Sequence, residues 1–233
     1  MKPVKIVIAV CCALTLTALF AACKKNEPPV PGPPDPSAEE YSAASRIQTE
    51  LKDALREIEE IRNDTGKVIR TVKNLQGFET VLNNGEKRPI RFVSSAETGT
   101  LTLPEGNYTV REIEFDLPNA AIEGSVELGT VRLTAVGEGG CTFKGHVGTL
   151  LASGGDMKIV LYGGADRVYV TGADTELVLQ DGEYAVLYCD NISSVITNRT
   201  DTAVTLILPN GTGIEIPKNK SYRLGDGKLK TVW

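Results

Sequence analysis

Apolar and polar positions alternate through the second half of the chain with a beat of about nine residues. From Ile113 to Ile216 a pair of apolar or small residues at i and i+2 recurs. The pairs are Ile113/Phe115, Ile122/Gly124, Val131/Leu133, Cys141/Phe143, Leu150/Ala152, Ile159/Leu161, Val168/Val170, Leu177/Leu179, Val186/Tyr188, Val195/Thr197, Val204/Leu206 and Ile214/Ile216. Between them lie turn-formers such as Ser153-Gly154-Gly155-Asp156, Gly163-Gly164-Ala165-Asp166, Gly172-Ala173-Asp174, Asp181-Gly182 and Asn210-Gly211. Short alternation closed by Gly, Asp or Asn predicts strands with one buried face.

Two architectures share this signal. In a parallel β-solenoid, three such units close a coil of about 27 residues, or two close a β-roll coil of about 18, and successive coils stack like on like. In an antiparallel sandwich or meander, turns every 8–12 residues give a similar rhythm. Antiparallel loops vary in length, whereas this spacing is nearly constant. Only Asp181-Gly182 and Asn210-Gly211 are strong hairpin dipeptides. The pattern therefore favours a mainly β fold of nonapeptide-spaced solenoid type, with the antiparallel sandwich or meander as the alternative.

The residues between the paired positions sharpen this. Glu114, Glu123, Arg132 and Thr142 open the series and Thr205 and Glu215 close it, so the outer face of the first and last units meets water. In the middle six units the outer position is Leu151, Val160, Tyr169, Val178, Leu187 or Ile196. An exposed apolar face of that extent needs a cover. Identical subunits, an upstream helix or a second sheet would each supply one.

Upstream, the period changes from two to three and four. Ser37 with Glu40 forms a capping-box pattern, and no proline interrupts the chain from there to Gln76. Ile47, Leu51, Ala54, Ile58 and Ile61, continued by Thr65, Val68, Val72 and Leu75, fall at a/d spacing. This predicts a long helix or coiled coil over 37–77, ended by Gly77 and, if continuous, about 58 Å long. The stripe favours self-association into a dimer or trimer. Docking on the chain's own β domain, or a hairpin broken at Asn63-Asp64-Thr65-Gly66, are the alternatives. Phe78 to Tyr108 is expected to lead into the repeats, and Tyr222 to Trp233, turning at Gly225-Asp226-Gly227, to cap them as a hairpin. A coil leading into stacked β units resembles the general plan of trimeric fibre and adhesin proteins.

The first 22 residues read as an address. Lys2 and Lys5 precede an apolar run from Val7 to Ala22, too short and too abruptly followed by polar, proline-rich sequence for a membrane span. Leu19-Phe20-Ala21-Ala22-Cys23 resembles the lipobox of bacterial lipoproteins, with Phe20 where leucine is usual. The resemblance implies that Cys23 is lipidated and becomes the new N-terminus, so residues 1–22, with Cys11 and Cys12, leave as a signal peptide. It also implies a palmitate-type anchor, and Lys24 in place of the inner-membrane retention aspartate tilts the location toward the outer membrane. Each buried methylene of an acyl chain adds about 0.8 kcal/mol of membrane affinity. Residues 23–36, rich in proline from Pro28 to Pro36, form the anchor and a semi-rigid tether of about 30 Å. Residues 78–233 are the β-repeat domain.

Composition narrows the function classes. A net charge of −5 falls to −7 once Lys2 and Lys5 are removed, and aromatic content is 6%. Neither suits a nucleic-acid partner. Cys141 and Cys189 read as inward and outward respectively, hence as two separate small hydrophobes rather than a disulfide. His146 is the single histidine and reads as a solvated turn residue. The turns at Asp166 and Asp174 resemble Ca²⁺-binding nonapeptide repeats but lack their regular glycine-to-aspartate spacing, so no cofactor or metal is expected. The expectation is a non-catalytic, lipid-anchored envelope protein with a structural, adhesive or binding role through an oligomeric β domain, reaching the membrane by its lipid and a surface ligand or protein by its repeats. A carbohydrate-active β-helix enzyme and a ligand-binding envelope lipoprotein are the alternatives.

Overall fold

The computed structural model describes residues 49–50, 52–53, 56, 69–85 and 87–232. Cys23, the tether and the stripe of Ile47, Leu51, Ala54, Ile58 and Ile61 lie outside the described residues. Of the predicted long helix, Thr49, Glu50, Lys52, Asp53, Arg56 and residues 69–77 are described; the first five are helical and exposed.

In chain order the elements are β1 (Arg70–Val72), α1 (Leu75–Asn83), β2 (Ile90–Val93), β3 (Gly99–Thr102), β4 (Asn107–Leu117), β5 (Ala120–Gly124), β6 (Glu127–Val136), β7 (Cys141–Phe143), β8 (Val147–Ala152) and β9 (Lys158–Leu161). They continue with β10 (Ala165–Val170), β11 (Glu176–Leu179), β12 (Tyr184–Cys189), β13 (Val195–Asn198), β14 (Val204–Ile207), β15 (Gly213–Ile216), β16 (Lys220–Arg223) and β17 (Lys228–Thr231). The chain alternates between two sheets. One runs β1-β2-β4-β6-β8-β10-β12-β14-β15 and the other β17-β16-β13-β11-β9-β7-β5-β3. Pairing is parallel from end to end, with antiparallel exceptions only at the C-terminal close. The result is a β-solenoid of about seven turns, in which two nine-residue units make each coil.

Register explains why the repeat folds this way. In the first sheet Ile90, Ile113, Val131, Leu150, Val168, Leu187 and Leu206 stand above one another. In the second, Leu101, Ile122, Cys141, Ile159, Leu177 and Ile196 do the same. All thirteen belong to one buried core between the sheets. Each fully buried side chain of this size contributes about 1.5–3 kcal/mol of transfer free energy. Small residues sit where the coils approach closely. A Cβ on Gly172 would lie 1.7 Å from the carbonyl oxygen of Gly154, its neighbour at the same corner.

Both ends are closed. At the first coil, Asn74 caps α1 by accepting the Gly77 N–H at 2.8 Å. Phe78 then stacks on Phe92 at 5.0 Å and meets Phe115 edge-on at 5.7 Å. At the last coil, β15 folds back on β14, and β16 and β17 close the second sheet as antiparallel strands. Asn198, fully buried, ties this end together. Its Nδ2 donates to the carbonyls of Thr202 and Ile216 at 2.8 Å each, while Oδ1 accepts from the Thr200 N–H and hydroxyl. The outermost strand, Lys228–Thr231, is exposed and carries two lysines, which oppose pairing with another chain.

Several expectations are corrected here. The predicted helix does not run to Gly77: Arg70–Val72 is a strand paired with Ile90–Phe92, and Gly77 lies inside α1. The solenoid accordingly begins at β1, and the expected entry region forms its first coils. The units written as Val186/Tyr188 and Val195/Thr197 are out of phase by one residue. Leu187 and Cys189 face the core beside Val168 and Val170, and Ile196 and Asn198 face it beside Leu177 and Leu179. The cause is one extra residue at the Asp181-Gly182-Glu183 corner, which makes the step from Leu177 to Leu187 ten residues. The closing hairpin at Gly225-Asp226-Gly227 stands as expected, between β16 and β17.

Candidate functional surfaces

Because consecutive units alternate between sheets, the six middle outer residues do not share a face. Leu151 and Tyr169 lie on the outer side of the first sheet, and Val160 and Val178 on the outer side of the second. Leu187 and Ile196 are core residues. The residues that complete the first pair are Tyr188 and Ile207, through the registers Leu151–Tyr169, Tyr169–Tyr188 and Tyr188–Ile207.

These four form a second hydrophobic cluster, separate from the core, with Val186 packed against it. Tyr169 is 0% exposed, Tyr188 2%, Leu151 3% and Ile207 6%. The two tyrosine rings meet edge-on at 6.4 Å. Such burial on the outside of a sheet exceeds what neighbouring strands provide, because strand partners pack beside a side chain and leave its top open.

The same outer row is charged over the earlier coils. Arg91, Glu114 and Arg132 stand in register ahead of Leu151. Arg91 Nε lies 2.8 Å from Glu114 Oε1, its guanidinium reaches Asp116 at 3.4 Å, and Arg132 pairs with Glu112 at 2.5 Å. The first sheet thus presents an ion-paired half and an apolar half to the outside.

The second sheet's outer row reads Thr102, Glu123, Thr142, Val160, Val178 and Thr197. Lys158 lies beside Glu176 at 3.9 Å. This face is polar at Thr102, Glu123 and Thr142 and then carries two valines, Val160 half-buried and Val178 buried.

Chemically reactive groups are dispersed. Cys141 and Cys189 are buried free thiols. Both face the core, which corrects the outward placement of Cys189 and bears out their reading as separate small hydrophobes. Burial pushes the Cys141 thiol well above its usual range. Burial, with the nearby Asp190 charge, raises Cys189 to about 11, against a backbone hydrogen bond at Asn191 that works the other way. Burial likewise raises the Tyr184 phenol, whose hydroxyl donates to the carbonyls of Leu161 and Asp181 and braces a corner. His146 Nε2, half-buried, stands 3.2 Å from Oδ1 of the exposed Asp166 at the adjacent corner. A depression lined by Thr102, Glu105, Asn107, Ser125 and Glu127 holds two carboxylates and two hydroxyls with no basic side chain in its lining.

No family model matches this chain, and neither a curated protein nor a solved structure shows detectable similarity to it. Among the described residues no helix is long and apolar enough to cross a membrane.

Proposed function

We propose that the chain is a lipid-anchored cell-envelope protein whose solenoid is a structural element for display or binding and performs no catalysis. The observation that carries this reading is the filled, doubly capped stack. Side chains occupy the space between the sheets from Val72 to Tyr222, and each end is sealed by its own element. Such a stack is a rod of set length whose inside offers no ligand chamber and whose edges resist open-ended growth. Ahead of it, the lipobox-like Leu19–Cys23 and the proline-rich stretch to Pro36 supply an anchor and a spacer. Rigid rod, spacer and anchor together suit a protein that holds a surface at a fixed distance from a bilayer.

The test is metabolic labelling with a palmitate analogue, followed by membrane fractionation in a bacterial host. The intact chain is expected to carry the label and to sediment with outer membranes. Cys23→Ala is expected to lose both. A Cys23→Ala protein that stays labelled and membrane-bound would overturn the reading.

A further inference from the structure

Charge is distributed unevenly along the stack. Residues 97–198 carry 15 carboxylates against 5 lysines and arginines, a net of −10. Residues 199–232 carry Arg199, Lys218, Lys220, Arg223, Lys228 and Lys230 against Asp201, Glu215 and Asp226, a net of +3. We propose that this C-terminal end, built on the β16–β17 hairpin, is a docking surface for an anionic lipid bilayer.

Three observations favour a bilayer. First, the cations converge. Arg223 stands opposite Lys228 and Ser221 opposite Lys230, so Arg223, Lys228 and Lys230 share the outer side of the second sheet at its last strands. Asp226, at the turn between the strands, bonds Lys230 at 2.6 Å and also lies in the field of Arg223 and Lys228. Three cations thus share one carboxylate. Lys220 stands opposite Thr231 on the other side of the hairpin, where Lys218, Asn219, Lys220, Thr231 and Val232 line a depression.

Second, apolar side chains stand in water among these charges. Leu229 on β17 is 45% exposed and Ile192 is 70% exposed. The Ile192 carbonyl accepts the Gly225 N–H at 2.8 Å, which holds it against the same hairpin. Two lysines on an edge strand suffice to oppose pairing with another chain, and that role does not call for a leucine between them. Aliphatic groups ringed by cations suit a bilayer surface, where the former enter the headgroup layer and the latter meet phosphates. A soluble anionic polymer would use the charge alone.

Third, the strand at this end is accessible from both sides. β17 is the outermost strand of its sheet and is exposed along its whole length. Side chains from both faces of such a strand reach a surface laid across the end of the stack, and lysine stems let their ammonium groups bend toward it. The acidic coils are repelled by the same surface, which confines contact to the end. Residues 69–96 are basic as well, with 5 cations and 2 carboxylates, so charge alone does not choose between the ends. Ile192 and Leu229 make the choice, against Ile69, 37% exposed, at the other end. This surface is independent of the lipid anchor, and the two contacts are separable, because salt releases the first and not the second.

Vesicle co-sedimentation tests it with residues 24–233, made without the leader, which contain every described element and carry no lipid. In low salt, vesicles of equal parts phosphatidylglycerol and phosphatidylcholine are expected to bind at least about tenfold more tightly than phosphatidylcholine alone. Lys228→Gln with Lys230→Gln is expected to weaken that binding about 25-fold, at roughly fivefold per cation. Leu229→Ser is expected to weaken it at least about threefold and to leave capture of soluble polyphosphate unchanged. Lys73→Gln with Lys87→Gln, at the other end, is expected to change nothing. Equal binding to both vesicles, or equal losses from the two lysine pairs, would overturn the proposal. Polyphosphate captured as tightly as vesicles, with no loss of either from Leu229→Ser, would assign the end to a soluble polyanion and overturn it too. Hydrogen exchange on the unsubstituted chain removes any dependence on how the variants fold. Mixed vesicles are expected to slow the amides of Lys228–Thr231 at least about tenfold and to leave Glu176–Leu179 unchanged. No slowing in β17 would contradict docking.

Discussion

The outer row of the first sheet divides into two halves built on the same backbone. Over the early coils it reads Arg91, Glu114, Arg132; over the later coils it reads Leu151, Tyr169, Tyr188, Ile207. Beneath both halves runs one uninterrupted inner row, from Ile90 to Leu206. The inner row is what a parallel stack requires, and it hardly changes. The outer row is free to vary, and it changes from ion pairs over the early coils to a buried apolar cluster over the later ones. The constraint of the stack thus falls on one face of each strand and leaves the other free to differ from coil to coil.

The inner row should be the most sensitive. Val168→Asp puts a carboxylate between Leu150 and Leu187, where no partner is available. A buried unpaired charge costs more than about 4 kcal/mol, so both halves should be lost together in one urea transition. Next comes the apolar half. Tyr169→Ala removes a ring that is 0% exposed and should cost about 3–5 kcal/mol, as much as a core deletion. A cost below about 1 kcal/mol would mean that the ring is not packed in solution.

The charged half should respond less. Arg132→Ala breaks the pair with Glu112, whose side chains keep 15% and 21% exposure. A partly buried pair of this kind should cost about 1–2 kcal/mol, and the loss should shrink in high salt. Equal effects for Tyr169→Ala and Arg132→Ala would erase the distinction between the halves.

The smallest expected effect is a pH dependence at Cys189. Its folded-state value, about 11, lies above its ordinary 9.0. A raised value means that the unfolded chain loses its proton first. The contribution is whole below about pH 9 and fades as pH rises toward 11. The gap in urea midpoint between the intact chain and Cys189→Ala should be constant from pH 6 to 8 and narrow above 9. A gap that widens with pH would have the wrong sign.

The inner row was largely legible in the sequence because a period of two puts every second side chain on one face. Ile113/Phe115 through Leu177/Leu179 were found this way, and their constant spacing separated stack from meander. The phase beyond Asp181 was not legible. There Val186, Tyr188 and Val195 are apolar beside Leu187 and Ile196, so either phase looks buried, and one added corner residue decides between them. The grouping of outer residues was hidden for another reason. Whether Leu151 stands beside Val160 or beside Tyr169 depends on how many units close a coil, and no local pattern encodes that. The boundary of the predicted helix failed because Val68, Val72 and Leu75 continue the heptad period. Yet Val72 pairs in register with Phe92, so a strand contact between distant segments overrides the local period. Nothing in the local sequence sets Asn198 apart. Only the closing strand, whose Ile216 carbonyl it binds, makes an inward amide affordable.

The parallel stack itself is tested most directly by side-chain nuclear Overhauser effects at Tyr169 in the folded full-length protein. The ring is expected to show contacts to the Leu151 methyls and to the Tyr188 ring, whose centroid lies 6.4 Å away, and none to Val160 or Val178. Contacts from Tyr169 to Val160 and Val178 would place adjacent nine-residue units side by side in a meander and contradict the two-sheet solenoid.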